Sequence, residues 1–228
     1  MTTGKMKNKK IWKFLCAGVS LALFFGLIAL VKTYDVDAIG PEGTSIGFSH
    51  LNGAVHDRFS YSKFWYFLTQ LFGLVAIGVV LQYAAAGAYQ LIKRRSLFKV
   101  DGPILLLGGL YVVVFGLYGL FEKVVINYRP IIEEGAEHVE ASFPSSHTML
   151  VCVVMGSLIL MINKYRLQAS SNDRFIIRVI AVISIILTVI GRLVCGVHWF
   201  TDILGGVLIS AALLFMFSGL LDRVEIKK

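Results

Sequence analysis

GRLVCGVHWFTD, at residues 191–202, lies where two strongly apolar stretches, 175–194 and 199–221, meet. Each stretch is about 20 residues long, which is what a helix needs to cross a hydrocarbon core of about 30 Å. The segment is therefore a tight turn between two membrane spans, and it sets the fold class: an all-α integral membrane bundle. Its strongly polar groups are Arg192, His198 and Asp202. Residues i and i+4 share a helix face, so Asp202 can accept the Nδ1 proton of His198 and leave Nε2 free as a nucleophile, with Arg192 holding an anion against it. Buried His–Asp pairs also serve structural roles, so what this turn does depends on what the rest of the chain brings to it.

The composition agrees with a membrane protein. Of 228 residues, 57% are hydrophobic and 16% charged, and the mean hydropathy of +0.75 is too high for a soluble domain. The formal net charge of +8 does not point to nucleic acid. Its basic residues form short clusters beside apolar runs, as inner loops and headgroup contacts do. Cys16, Cys152 and Cys195 lie in or beside apolar segments. They are expected to be small buried hydrophobes, with no disulfide framework and no metal cluster.

Six spans are expected, at about 11–31, 64–92, 103–121, 147–162, 175–194 and 199–221, in a single domain covering 1–228. The first exceeds the roughly 7–15 residues of a signal-peptide core and no small-residue cleavage pattern follows it, so it is taken as a retained anchor. In the loop at 32–63, Leu51, Val55 and Phe59 recur every four residues and predict a short surface helix whose apolar face lies on the membrane surface or caps the bundle. Gln70 and Gln82 interrupt the second span and are expected to face other helices. Asp101-Gly102-Pro103 is a start signal for the third.

Six spans place both termini on one side. With them go the basic turn at 93–99 and the turn carrying Lys164, Arg166, Arg174 and Arg178, so this side is cytoplasmic by the positive-inside rule. The loops at 32–63, 122–146 and 191–198 then share the outer side, together with all five histidines, His50, His56, His138, His147 and His198. Glu133, Glu134, Glu137 and Glu140 read as a solvated acidic face of the second outer loop.

The outer segments carry Arg129-Pro130, then Phe143-Pro144-Ser145-Ser146-His147, then Arg192, His198 and Asp202. They contain no acidic pair or cysteine cluster for a metal, and the inventory suits a phosphate dianion. Arginine offers forked donors, and Ser145-Ser146-His147 begins a helix, where free amides and the positive dipole end face an anion.

These three segments, in this order, resemble the signature of the type 2 phosphatidic acid phosphatase family. The family pattern is a Lys, six residues and Arg-Pro; then Pro-Ser-Gly-His; then a small residue, Arg, five residues, His, three residues and Asp. Gly191, Arg192, His198 and Asp202 match the third segment, and Pro144, Ser145 and His147 match the second, with Ser146 in place of Gly. Arg129-Pro130 fits the first, but Glu122 stands where its lysine belongs and Lys123 lies one residue too close.

The resemblance implies a six-helix membrane lipid phosphatase with its site at the outer face of the cell membrane. His198, oriented by Asp202, would attack phosphorus to give a phosphohistidine. His147 would protonate the leaving oxygen and then activate water. Lys123, Arg129, Ser145, Ser146 and Arg192 would hold the phosphate oxygens, with no metal and no cofactor. The implied substrate is a lipid phosphate or pyrophosphate of the bilayer: undecaprenyl pyrophosphate, phosphatidylglycerol phosphate or phosphatidic acid. A lipid phosphotransferase and a non-catalytic lipid-phosphate binder or transporter are the alternatives.

Overall fold

Each long apolar run folds as a helix, because a chain in lipid must satisfy its backbone polar groups within the segment. The computed structural model describes residues 2–59, 61–133, 135–165, 170–224 and 226. It contains α1 (Thr2–Thr33), α2 (Ser49–His56), α3 (Lys63–Arg94), α4 (Gly102–Lys123), α5 (Ser146–Tyr165), α6 (Ser171–Val194) and α7 (Phe200–Leu221), with 3₁₀ turns at Pro41–Gly43 and Leu97–Lys99. All but α2 are long and apolar enough to cross a membrane, six candidate spans among the described residues, as the hydropathy predicts. Glu134, Arg166, Lys227 and Lys228 lie outside the described residues, as do the side chains of Lys5, Lys7, Lys9 and Lys10.

The helices overrun the apolar stretches where polar residues supply caps. α6 starts four residues before Phe175 because Ser170 Oγ accepts from the Asp173 amide and Asp173 returns the bond to the Ser170 amide, each at 3.1 Å. The start of α4 is tied to the end of α3 by Asp101, whose carboxylate accepts from Gln90 and Arg94 at 2.9 Å. Pro103 sits in the first turn of α4, where its missing N–H costs nothing.

The core is built on α5 and α7. Within their spanning windows 56% and 44% of residues are buried, against 17–28% in the other four spans, whose outward apolar side chains face lipid. Met149, Val151, Val153, Val154 and Met155 fill the centre from α5, and Ile209, Phe217 and Leu221 meet them from α7. The first helix lies along the last. Lys13 Nζ is 2.8 Å from Asp222 Oδ2, and the Arg223 guanidinium stacks 4.8 Å over the Phe14 ring. The outer ends of α1 and α7 in sequence therefore share one end of the bundle, as an even number of spans requires.

The expected surface helix is present as α2, but its inward face is polar. Leu51 is 45% exposed and Phe59 lies beyond the helix. The side chain that docks it is Asn52, which donates to Thr201 Oγ1 at 3.0 Å and to Gly47 O at 2.7 Å while accepting from the Thr201 amide at 3.2 Å. The reason is that α2 covers the N-terminus of α7, whose first amides need acceptors more than they need apolar contact. Gly47 lets the preceding loop meet α1, since a Cβ there would fall 1.8 Å from the Val31 carbonyl oxygen. Cys152 and Cys195 are buried, as their apolar settings predict, whereas Cys16 is only partly buried.

Candidate functional site

The site grows from the contact between the start of α5 and the start of α7. The Ser145 amide donates to the Asp202 carbonyl at 3.0 Å, and a Cβ on Gly206 would lie 3.1 Å from the Ser145 carbonyl oxygen. Two sequence segments more than forty residues apart are thus seated on one another. The connection from α4 to α5 folds back on itself through a Tyr128–Ala141 bridge. It is pinned to α7 by Trp199, whose indole N–H donates to Tyr128 O at 2.6 Å. That fold-back brings Arg129 to the same place.

His198 sits in the turn before α7 and is 3% exposed. Arg192 Nη2 donates to its Nε2 at 3.2 Å, and its Nδ1 faces Asp202 Oδ2 at 3.6 Å. The two side chains do not share a helix face as the spacing predicts, because α7 begins only at Phe200. Asp202 instead caps that helix, accepting from the Trp199 amide at 2.9 Å, and the cap turns its carboxylate toward the imidazole. His198 Nδ1, Asp202 Oδ1 and Arg192 Nε are buried without a hydrogen-bond partner among the described residues. Burial pushes the His198 imidazole well below its ordinary 6.5, with the charges of Arg192 and Arg129 reinforcing the shift. The ring is therefore neutral, with a lone pair on Nε2 turned to a guanidinium.

Arg192 is held from α3: its Nη1 is 3.4 Å from Thr69 Oγ1, and its guanidinium lies 5.5 Å from the centre of the Tyr66 ring. His147, in the first turn of α5, has its Nε2 2.6 Å from Gln70 Oε1. Arg129 pairs with Glu133, and its Nε is 3.3 Å from Glu140. Glu133 and Glu140, expected as a solvated face, thus turn to the arginine. Ser145 is fully buried, its amide given to Asp202 and its Oγ accepting from Thr148 at 3.0 Å.

Two cavities meet around these groups. A narrow one is lined by Tyr118, Glu122, Arg129, Ser142, Ser146 and His198 among others. The second, about 350 Å³, has Gln70, Glu122, Arg129, Ser146 and His147 at one end and walls that include Leu74, Ile77, Val114, Phe115 and Leu150. Arg129 and Ser146 belong to both, so an anion between them touches the space in front of each histidine. Among the predicted site residues, Arg129, Ser146, His147 and His198 line these cavities. Arg192, Ser145 and Asp202 stand directly behind. Lys123 is exposed at the end of α4 and lines neither; Glu122 lines both.

His50 and His56 are elsewhere. His50 is raised by an exposed pair with Asp35 at 2.6 Å. His56 is lowered by partial burial, its ring against Trp199. The residues that the sequence reading did not assign to the site are Tyr66, Thr69 and Gln70 of α3. Their signal was available: three polar side chains at positions i, i+3 and i+4 of an apolar span.

A helical membrane bundle holding two histidines, an aspartate and two arginines at one end defines a class, and the family comparison agrees. The profile of the PAP2 superfamily matches residues 103–224, and the chain belongs to that superfamily. It is similar to phosphatidylglycerophosphatase B of Bacillus subtilis (strain 168), with 30% identity over 122 residues, covering 52% of this chain and 60% of that protein. The match thus spans less than two thirds of that relative's length. The fold is also similar to a crystal structure described as the first transmembrane PAP2 type phosphatidylglycerolphosphate phosphatase from Bacillus subtilis. There the TM-score is 0.67 at 18% identity, covering 92% of this chain and 98% of that one. The likeness of fold extends beyond the family match to helices ahead of residue 103.

Proposed function

We propose that the protein is a membrane lipid phosphatase acting through a phosphohistidine on His198. The observation that carries this reading is the buried His198 ring, with Nε2 3.2 Å from Arg192 and Nδ1 turned to Asp202. An anion binder has no need of a nucleophile with an orienting carboxylate behind it. In the first step Nε2 attacks phosphorus, the bond from phosphorus to the lipid oxygen breaks, and His147 gives that oxygen a proton. In the second, water attacks the phosphohistidine, His147 takes the water proton, and inorganic phosphate leaves. Arg129, Arg192, Ser145 and the amide-rich start of α5 at Ser146 meet the charge of the transferring group, so the chemistry proposed requires no metal. Lys123 joins them only if its long side chain swings in from its exposed position.

The substrate class proposed is supported by the shape of the 350 Å³ cavity, a polar end with Arg129 and His147 continuous with apolar walls. A phosphate carried on a hydrocarbon tail fits both. Phosphatidylglycerol phosphate leads the candidates, in line with the name of the similar B. subtilis protein; undecaprenyl pyrophosphate and phosphatidic acid stand beside it. The positive-inside distribution supports a site at the outer face, with both termini cytoplasmic.

The test is phosphate release in detergent, with a chelator present, from each of the three lipids. Wild type is expected to turn over at least one, and His198→Ala to lose about a thousandfold or more in kcat. Near-normal turnover by His198→Ala would sink the mechanism. Phosphate passed to an added lipid or sugar alcohol would favour a transferase, and tight binding without release a non-catalytic binder.

A further inference from the structure

One face of α3 carries Tyr66, Thr69, Gln70 and Gly73, at positions i, i+3, i+4 and i+7, and this face is turned to the site. Thr69 and Tyr66 hold Arg192. Gln70 and Gly73 hold His147: a Cβ at Gly73 would lie 3.3 Å from the ring's Cδ2, so the ring rests against bare helix backbone while Nε2 meets Gln70 Oε1 at 2.6 Å. Tyr66, one turn earlier on the same helix, donates its hydroxyl to Glu133 Oε2 at 3.2 Å. The atom of Gln70 set against the ring is its amide oxygen. An amide oxygen accepts and cannot donate, so the ring nitrogen opposite it carries the hydrogen.

We infer that Gln70 is a positioning residue that locks His147 in its Nε2–H tautomer and presents Nδ1 to the reacting oxygen. The inference rests on the phosphatase reading for its catalytic consequence, though not for the tautomer itself. In the first half-reaction the imidazolium has hydrogen on both nitrogens. Nδ1–H passes to the leaving lipid oxygen as its bond to phosphorus breaks, and Nε2–H stays on Gln70. In the second half, the Nδ1 lone pair takes a proton from the attacking water, which restores the imidazolium. Without Gln70 the neutral ring also populates the Nδ1–H form, in which Nδ1 can no longer accept. The other groups around His147 are Tyr118 and Glu122 from α4, Arg129 and Glu140 from the following connection, Arg192 from α6, and His198. None of them is bonded to Nε2, so the tautomer is set at Gln70.

The experiment compares wild type, Gln70→Leu, Gln70→Glu and Gln82→Leu. Gln82 is three turns along the same helix and lines a separate cavity near Gln90. Gln70→Leu is expected to lower kcat by about 10- to 100-fold with KM within threefold, and to move the alkaline limb of the kcat profile to lower pH, because the imidazolium loses an acceptor. Gln70→Glu is expected to move that limb to higher pH, and Gln82→Leu to leave activity unchanged. A fall in kcat or melting temperature with the pH profile unmoved in both Gln70 variants would show a purely structural role and overturn the inference. The tautomer is read independently from 15N-histidine NMR, the His147 signals being assigned by their loss in His147→Asn. An Nε2–H tautomer in wild type that becomes mixed in Gln70→Leu is the expected result; an Nδ1–H tautomer in wild type would overturn the inference. If wild type hydrolyses none of the lipids, the phosphatase reading fails and the NMR result alone decides the role of Gln70.

Discussion

His198 binds a proton in the unfolded chain below about pH 6.5 and is held neutral in the fold by burial and by Arg192 and Arg129. The sign follows from that difference. Stability associated with the neutral ring is complete above the unfolded value and is lost as the pH falls below it, because only the unfolded chain then takes up the proton. Between pH 7.5 and 5.5 wild type is expected to lose about 1.4 kcal/mol more than His198→Gln, which does not titrate there. Parallel unfolding curves for the two proteins across that range would show that His198 is protonated in the fold. In the proposed mechanism the same environment keeps Nε2 available as the nucleophile in mildly acidic medium. Protonation of His198 is therefore not expected to set the acid limb of the rate profile.

At the scale of elements, the site depends on how closely α3 and α6 approach. A Cβ on Gly191 would fall 2.7 Å from Thr69 Cγ2 and 3.1 Å from the Trp65 ring. Gly191→Ala is expected to push the two helices apart, destabilise the protein by about 1–3 kcal/mol and lower kcat, because Thr69 then withdraws from Arg192 next door. Thermal unfolding with an activity assay checks both; a variant with wild-type values would show that α3 yields without consequence. The sequence made the six spans and the three polar segments legible because hydropathy and residue spacing are local properties. The polar face of α3 was legible too, but its partners were not, since Gln70 announces only that it faces another helix and its partner is 77 residues away. The spacing of His198 and Asp202 pointed to their pairing but to the wrong geometry, a shared face where the chain builds a cap. For Lys123, spacing cannot tell where a helix stops, and α4 ends at that residue with its side chain turned outward.

At the scale of the whole molecule, the chemistry-bearing loops collect at one end and the basic turns at the other. The orientation proposed from that asymmetry is testable with an impermeant maleimide on intact cells, in a Cys16→Ala background whose remaining cysteines are buried. Glu137→Cys is expected to label from outside and Lys99→Cys only after the membrane is opened; the reverse would invert the topology. The pairing of α1 with α7 carries a further meaning for how such a molecule is made. A ribosome delivers α1 before α7, so the face of α1 that α7 covers stays unfilled through the synthesis of everything between. His198 and Asp202 arrive with that final piece. Seating α7 on α1 and completing the proposed His198–Asp202 pair are thus a single late event, and a chain halted before it is an assembly intermediate that lacks the groups to which the chemistry is assigned.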